Sequence, residues 1–213
     1  SDLVGKLVNI ASRCAGFIHK LNRGRLAATF AEPALYAEFA AAADELAADF
    51  EKLEYSRAVR KIMALADRAN QYIDERKPWL LAKDPAASAE VVAVCTLGLN
   101  LFRALVCYLK PVLPALTERA ERLLAAGELR WGDPATPLLA HKTERFEPLL
   151  QRVDAATVEL VVAEARDQAA AAASEALLVA AAGAPPPPAT GAAQPTSTGA
   201  RSTASGSSRR SAS

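Results

Sequence analysis

The stretch Leu3-Val4-Gly5-Lys6-Leu7-Val8-Asn9-Ile10-Ala11-Ser12-Arg13-Cys14-Ala15-Gly16-Phe17-Ile18-His19-Lys20-Leu21 decides the fold class. At about 100° per residue, Leu3, Leu7, Ile10, Cys14, Phe17 and Leu21 fall on one stripe. Val4, Val8, Ala11, Ala15 and Ile18 widen that stripe to about half the circumference. The spacing predicts an amphipathic helix over about 2–22. The opposite half carries Lys6, Asn9, Ser12, Arg13, Gly16, His19, Lys20 and Arg23. Asn9 and Arg13 are four apart and therefore neighbours on one face. Gly16 weakens a helix by up to about 1 kcal/mol relative to Ala. One use for it is to let another backbone come close, RNA among the candidates. From residue 3 to residue 31 there are five Lys or Arg and no acid. Two readings stand side by side: a solvated face that happens to be basic, or a contact for an anion or a nucleic acid.

The helical pattern continues outward from this stretch. Further helices are predicted at about 32–50, 54–76, 86–109, 112–126 and 154–180. Asn22-Arg23-Gly24 closes the first helix, and Pro33 suits the first turn of the second. Pro78 closes the third, and Pro111 and Pro114 follow the fourth. Between 127 and 153 the periodicity fails. Gly127, Gly132, Pro134 and Pro137 flank the short apolar pieces Leu129–Trp131 and Leu138–Leu139, and a small β-hairpin is predicted there. From Gly183 to Ser213 only Ala, Pro, Gly, Ser, Thr, one Gln and a few Arg remain, with Pro185 to Pro188 consecutive. Such a segment buries too little to offset its ordering entropy, so a disordered tail is expected. No internal repeat at a solenoid period is present.

Length and composition fit one sizeable domain plus an appendage. The chain has 213 residues, 51% of them hydrophobic, with formal net charge +1. Arg201, Arg209 and Arg210 give the tail +3, which leaves residues 1–182 with 22 basic and 24 acidic side chains. A basic stretch on a near-neutral domain points to a local anionic partner. The chain opens at Ser1 and its only Met is Met63, so it reads as a piece of a longer protein. Cys14, Cys95 and Cys107 lie among apolar residues without a CxxC pair, and reduced thiols in a cytoplasmic protein are expected. Only His19 and His141 are available for zinc, and neither has ligand spacing. No secretory signal is present, nor an uncharged apolar run of spanning length, so no membrane partner is expected.

A second informative piece is Asp74-Glu75-Arg76-Lys77-Pro78-Trp79. It follows a long amphipathic helix with the stripe Tyr55, Val59, Ile62, Ala66, Ala69 and Ile73. Pro78 ends that helix and fixes the presentation of the next residue. Trp79 is then either a lid on the core or a stacking platform for an unpaired base. Single-stranded RNA loops are read by such a combination of ring stacking with amide and guanidinium hydrogen bonds to base edges.

The other candidates read more plainly. His141 beside Lys142 has no carboxylate or nucleophile in a motif context, and packing or hydrogen bonding is expected of it. Asn100 and Arg103 lie in the apolar helix from Val91 to Leu109. They need partners there, either in an internal network or on a further domain. Glu38, Asp44, Glu45, Asp49 and Glu51 read as a solvated acidic face. Trp131 reads as an anchor of the hairpin.

Several separated motifs, in order, resemble one family. They are Val8-Asn9-Ile10-Ala11-Ser12-Arg13-Cys14-Ala15-Gly16-Phe17, Arg60-Lys61-Ile62-Met63-Ala64-Leu65-Ala66-Asp67, Ala69-Asn70-Gln71-Tyr72-Ile73-Asp74-Glu75 and Pro78-Trp79. The pattern continues through Gly98-Leu99-Asn100-Leu101-Phe102-Arg103, Tyr108-Leu109-Lys110-Pro111-Val112-Leu113-Pro114, Pro137-Leu138-Leu139-Ala140-His141-Lys142 and Gln151-Arg152-Val153-Asp154. Over about 1–170 the chain resembles the C-terminal anticodon-binding domain of bacterial-type methionyl-tRNA synthetases.

The resemblance implies an all-α bundle of the class I synthetase anticodon-binding type. About five core helices, a small β-hairpin excursion and a C-terminal helix are expected. The domain would span 1–182 and the tail 183–213. The resemblance also implies recognition of the CAU anticodon of methionine tRNA. Asn9 and Arg13 match the family's base-reading pair, Trp79 after Pro78 matches its stacking ring, and Asn70 and Asp74 fall where the same site is lined. Lys6, Lys20, Arg23 and Arg152 are candidate contacts to the tRNA backbone. No catalytic residue is assigned. The nucleotide-binding fold, HIGH-like motif and KMSKS-like loop of the catalytic domain do not occur in the chain. ATP and methionine would belong to that domain, which is an expected partner beside methionine tRNA, and the chain alone would be inactive. The competing reading is a helical protein-interaction module with an incidental basic face. If the site assignment holds, helices 2–22 and 54–76 must be neighbours, with Trp79 close to Asn9 and Arg13.

Overall fold

A computed structural model describes residues 4–30, 32–150 and 155–182. A π-helical turn, Val4–Val8, leads into α1 (Asn9–Asn22). Then come α2 (Pro33–Ala41), α3 (Ala43–Glu51), α4 (Tyr55–Arg76) and the single-turn α5 (Pro78–Leu81). α6 (Ser88–Leu109) and α7 (Pro114–Leu124) complete the bundle. The described residues up to 150 form one compact unit, and α8 (Ala155–Ala182) belongs to a second. The expected tail from 183 and Arg152 lie outside the described residues.

α6 is the axis of the bundle. Its sequence has no polar face, and a helix apolar all round must be surrounded. Every residue from Val91 to Leu109 except Ala93 is buried. The stretch Pro85–Leu109 is long and apolar enough to cross a membrane, but 94% of its most apolar window is buried inside the protein. It is the core helix of the bundle. α1, α4, α2 and α7 pack around it. The predicted stripe of α1 points inward, with Leu7, Ile10, Cys14 and Ile18 fully buried.

With Thr96, Asn100 and Arg103 are the buried polar residues inside α6, and both work internally. Asn100 Oδ1 accepts from Leu138 N–H (2.7 Å), and its Nδ2 donates to Leu138 O (3.0 Å) and Thr96 O (2.8 Å). Arg103 Nη1 donates to Thr136 O (2.8 Å) and Asp133 O (3.1 Å). Together they fasten the irregular segment 133–138 to the core helix.

The predicted β-hairpin is not formed, and no strand occurs among the described residues. Leu129 instead turns into the core, fixed by Lys110 Nζ on its carbonyl (2.7 Å) and Glu121 Oε1 on its amide (2.8 Å). Trp131 packs edge-on against Phe50 and tilts against Tyr108. Residues 140–143 pair antiparallel with the chain that leaves α1, around a single bridge between Arg25 and Lys142. Leu26 N–H donates to His141 O (2.7 Å), Ala140 N–H to Ala27 O (2.8 Å) and Thr143 N–H to Gly24 O (2.8 Å). Both apolar pieces thus pair with distant segments, not with each other. His141 hydrogen-bonds Leu124 O (2.8 Å), the structural role expected of it.

The helix predicted at 32–50 is two helices, broken at Ala42 without Gly or Pro. The buried Tyr108 hydroxyl donates to Phe39 O (2.8 Å), the carbonyl that Ala43 N–H would take in an unbroken helix. Ala42 N–H turns back to Phe39 O (3.3 Å) as well.

The acidic face of 38–51 is not simply solvated, which corrects the expectation. Asp49 is only 2% exposed and is gripped by Arg57 Nε (2.8 Å) and Lys61 Nζ (2.7 Å) from α4. Lys61 also pairs with Glu45, and Arg68 reaches Glu38 at 4.0 Å. The Arg57 hydrogen bonds, with those of Lys61, pull the Asp49 carboxyl from its ordinary 3.8 down to about 2. A carboxyl lowered in the folded state stabilises above its unfolded value and loses that contribution as pH falls through the folded value. Acid unfolding should therefore steepen between about pH 4 and pH 2, and Asp49→Asn should flatten that window while lowering stability at pH 7. Circular dichroism across an acid titration checks this, and superimposable curves for the two chains would refute it.

Candidate functional site

The site is built from α1, α4 and the joint that ends α4. Lys77 takes a left-handed conformation (φ 45°, ψ 58°), and its N–H closes α4 on Ile73 O (2.9 Å). Such a conformation is disfavoured for a residue with a Cβ. Pro78, buried, restarts the chain as the first residue of α5. The turn leaves Trp79 at the surface, 37% exposed, beside α1. Trp79 is therefore not a closed lid on the core.

Arg13 lies between α1 and this ring. Its guanidinium carbon stands 5.2 Å from the Trp79 ring centroid, and Nη1 is 2.6 Å from Asp74 Oδ1. Half-exposed ion pairs contribute about 0–1 kcal/mol to stability, so the main effect of Asp74 is to hold the guanidinium plane in place. One turn earlier, Asn9 Nδ2 donates to Asn70 Oδ1 at 3.4 Å. Asn70 is itself fixed, its Nδ2 donating to Ala66 O and to Lys6 O, both at 2.9 Å. The second of these ties α4 to the π-helical turn. Asn9 keeps its amide oxygen for an outside donor, and Arg13 keeps guanidinium edges that Asp74 does not use.

The structure brings Asn9, Arg13, Asn70, Asp74 and Trp79 onto one surface, with Pro78 behind the ring. α1 and α4 are neighbours, as the site assignment requires. Lys6 is drawn away toward Asp67 (2.8 Å). Lys20 and Arg23 are exposed further along α1.

One part of this surface was not foreseen. Residues 144–146 lie beside the second half of α1, braced by His19, whose Nε2 donates to Glu144 O (2.6 Å). Arg145 and Phe146 then wall a cleft of about 500 Å³ with Ser12, Ala15, Gly16, His19 and Lys20. The pairing spans 125 residues and leaves no periodic trace in the sequence.

An all-α bundle that presents an amide, a guanidinium and an indole on one basic face has the architecture of a recognition module. The family described as the anticodon binding domain of methionyl tRNA ligase matches residues 24–159. The chain belongs to this family of methionyl-tRNA ligase anticodon-binding domains. The matched range includes Asn70, Asp74, Pro78 and Trp79, while Asn9 and Arg13 precede it. Among solved structures the fold is similar to Mycobacterium tuberculosis methionyl-tRNA synthetase in its free state, with TM-score 0.63 and 21% identity over 72% of this chain. The same enzyme bound by methionyl-adenylate gives TM-score 0.60 and 22% identity over 70% of this chain. A further structure of its complex with methionyl-adenylate gives 0.52 and 23% over 71%. At these identities the likeness is one of fold. The chain spans 33%, 30% and 32% of those three chains.

Proposed function

We propose that this domain reads the CAU anticodon of methionine tRNA, as the tRNA-binding part of a cytoplasmic methionine–tRNA ligase. The observation that carries the reading is the Asn9, Arg13 and Trp79 surface, held by Asn70 and Asp74 on a basic helix face of a family member. An opened anticodon loop would lay one base on Trp79 and offer base edges to Asn9 and Arg13. Base edges that match satisfy both side chains; wrong ones leave a polar group without a partner. Lys20 and Arg23 would add a salt-sensitive attraction for phosphates that does not distinguish sequence. In the intact ligase, docking here would direct the acceptor end toward the catalytic domain, where ATP and methionine would bind. Three buried free cysteines accord with a reducing compartment.

The test is titration of the full chain with a CAU stem-loop and with one whose first anticodon base is changed. Hydrogen bonds to charged groups contribute about 1.5–3 kcal/mol, or roughly 10- to 150-fold in affinity. Arg13→Gln should reduce the preference for CAU by about that factor, and Asn9→Ala should act in the same direction. Equal affinity of the parent chain for both RNAs would leave a basic helical module and refute anticodon reading.

A further inference from the structure

We infer that the cleft between α1 and residues 145–146 seats the sugar–phosphate backbone of the RNA strand that leaves the bases read at Asn9, Arg13 and Trp79. This rests on the anticodon reading proposed above. Asn9, Arg13, Gly16 and Lys20 are spaced by four, three and four residues, so they form one continuous line along α1. From Arg13 to Lys20 the helix rises about 10 Å, room for a short run of opened strand.

Gly16 is the decisive residue. It is exposed, and a Cβ built there meets nothing within 4 Å. Packing inside the protein therefore does not require a glycine, which is among the weakest helix formers. Its bare backbone instead gives the cleft a floor that a ribose or phosphate can approach closely. The walls supply the matching charge. Lys20 and Arg145 flank the cleft, and no carboxylate lines it. Neither cation has an ion-pair partner among the described residues. His19 holds the Arg145 wall in place through Glu144 O. Arg145 also borders a larger cleft of about 850 Å³ against α7, whose lining mixes Arg119 and Arg122 with Glu144 and Glu147, whereas the cleft at Gly16 has cations alone.

The test uses the full chain, the CAU stem-loop and the altered-loop RNA over a series of salt concentrations. Gly16→Leu should leave the thermal midpoint equal or higher, because leucine favours helix over glycine, yet weaken CAU binding about tenfold or more. Opposite signs for stability and affinity separate an obstructed cleft from a damaged fold. Arg145→Gln should weaken both RNAs by the same factor and lower the slope of log affinity against log salt by about 0.7. It provides an independent reading should Gly16→Leu disturb α1. If both variants bind the CAU stem-loop like the parent, with the parent's slope, the cleft is not a backbone seat, while a CAU preference in the parent still upholds anticodon reading. If the parent shows no CAU preference but both variants weaken binding, base reading fails and the backbone seat stands. If the parent binds neither RNA, both fall.

Discussion

Replacing Trp79 with alanine is expected to weaken binding of the CAU stem-loop by roughly 5- to 150-fold, the range of about 1–3 kcal/mol that one stacked base contributes. The ring is 37% exposed, and its contact with the Arg13 guanidinium is worth about 0.5–1 kcal/mol at such a site. That contact alone corresponds to about 1–4 °C in the thermal midpoint for a chain of this size, and the covered part of the ring adds to it. Trp79→Phe, which keeps a stacking face, should recover part of the affinity. The effect should also weaken when the loop carries an abasic site at the stacked position. Fluorescence titration of both variants with both RNAs measures this, and parental affinity in Trp79→Ala would remove the ring from the site.

The other large effect is expected at Gly98, where α1 crosses α6. A Cβ built there falls 2.6 Å from Cys14 Sγ and 3.5 Å from Ile73 Cδ1. The first distance is a clash. Cys14 is fully buried on α1, so its sulfur has no solvent to move into. Overpacking of this kind costs about 1–3 kcal/mol. Gly98→Ala should therefore lower the midpoint by several degrees. It should also weaken RNA binding, because a shift of α1 that relieves the clash carries Asn9 and Arg13 with it. Cys14→Ala in the same chain removes the obstructing sulfur. The double variant should be more stable than the sum of the single effects predicts, a coupling expected only of residues in contact. Thermal denaturation of the four chains tests this, and strict additivity would contradict the close approach.

The features legible in the sequence were those written by local periodicity and by proline. The α1 stripe and the faces of α4 repeat on a helical period, and Pro33 opens α2 as expected, while Pro78 and Pro114, read as following the helices before them, also open α5 and α7. The neighbouring placement of Asn9, Arg13 and Trp79 was expected from the family resemblance, and two amphipathic helices turning their apolar stripes to one core accommodate it. What escaped depends on single contacts between distant residues. The break at Ala42 comes from a hydroxyl 69 residues from the carbonyl it binds. The expected hairpin is not formed because Leu129 is taken by Lys110 and Glu121 and Leu138 by Asn100, while residues 140–143 pair with the chain after α1. Asp49 looked like one more surface acid, and only the docking of α4 makes it a buried ion-pair centre. The Arg145 wall is likewise invisible without the His19 brace.

The guanidinium already lying over Trp79 makes the ring an occupied seat. On the anticodon reading proposed above, a base arriving on that face would displace a resident cation, and its net gain would be the difference between two stacking partners. The exchange would also free an arginine at the moment the base arrives. Discrimination at this ring would then begin with a threshold: an incoming group that stacks no better than Arg13 would gain nothing by entering.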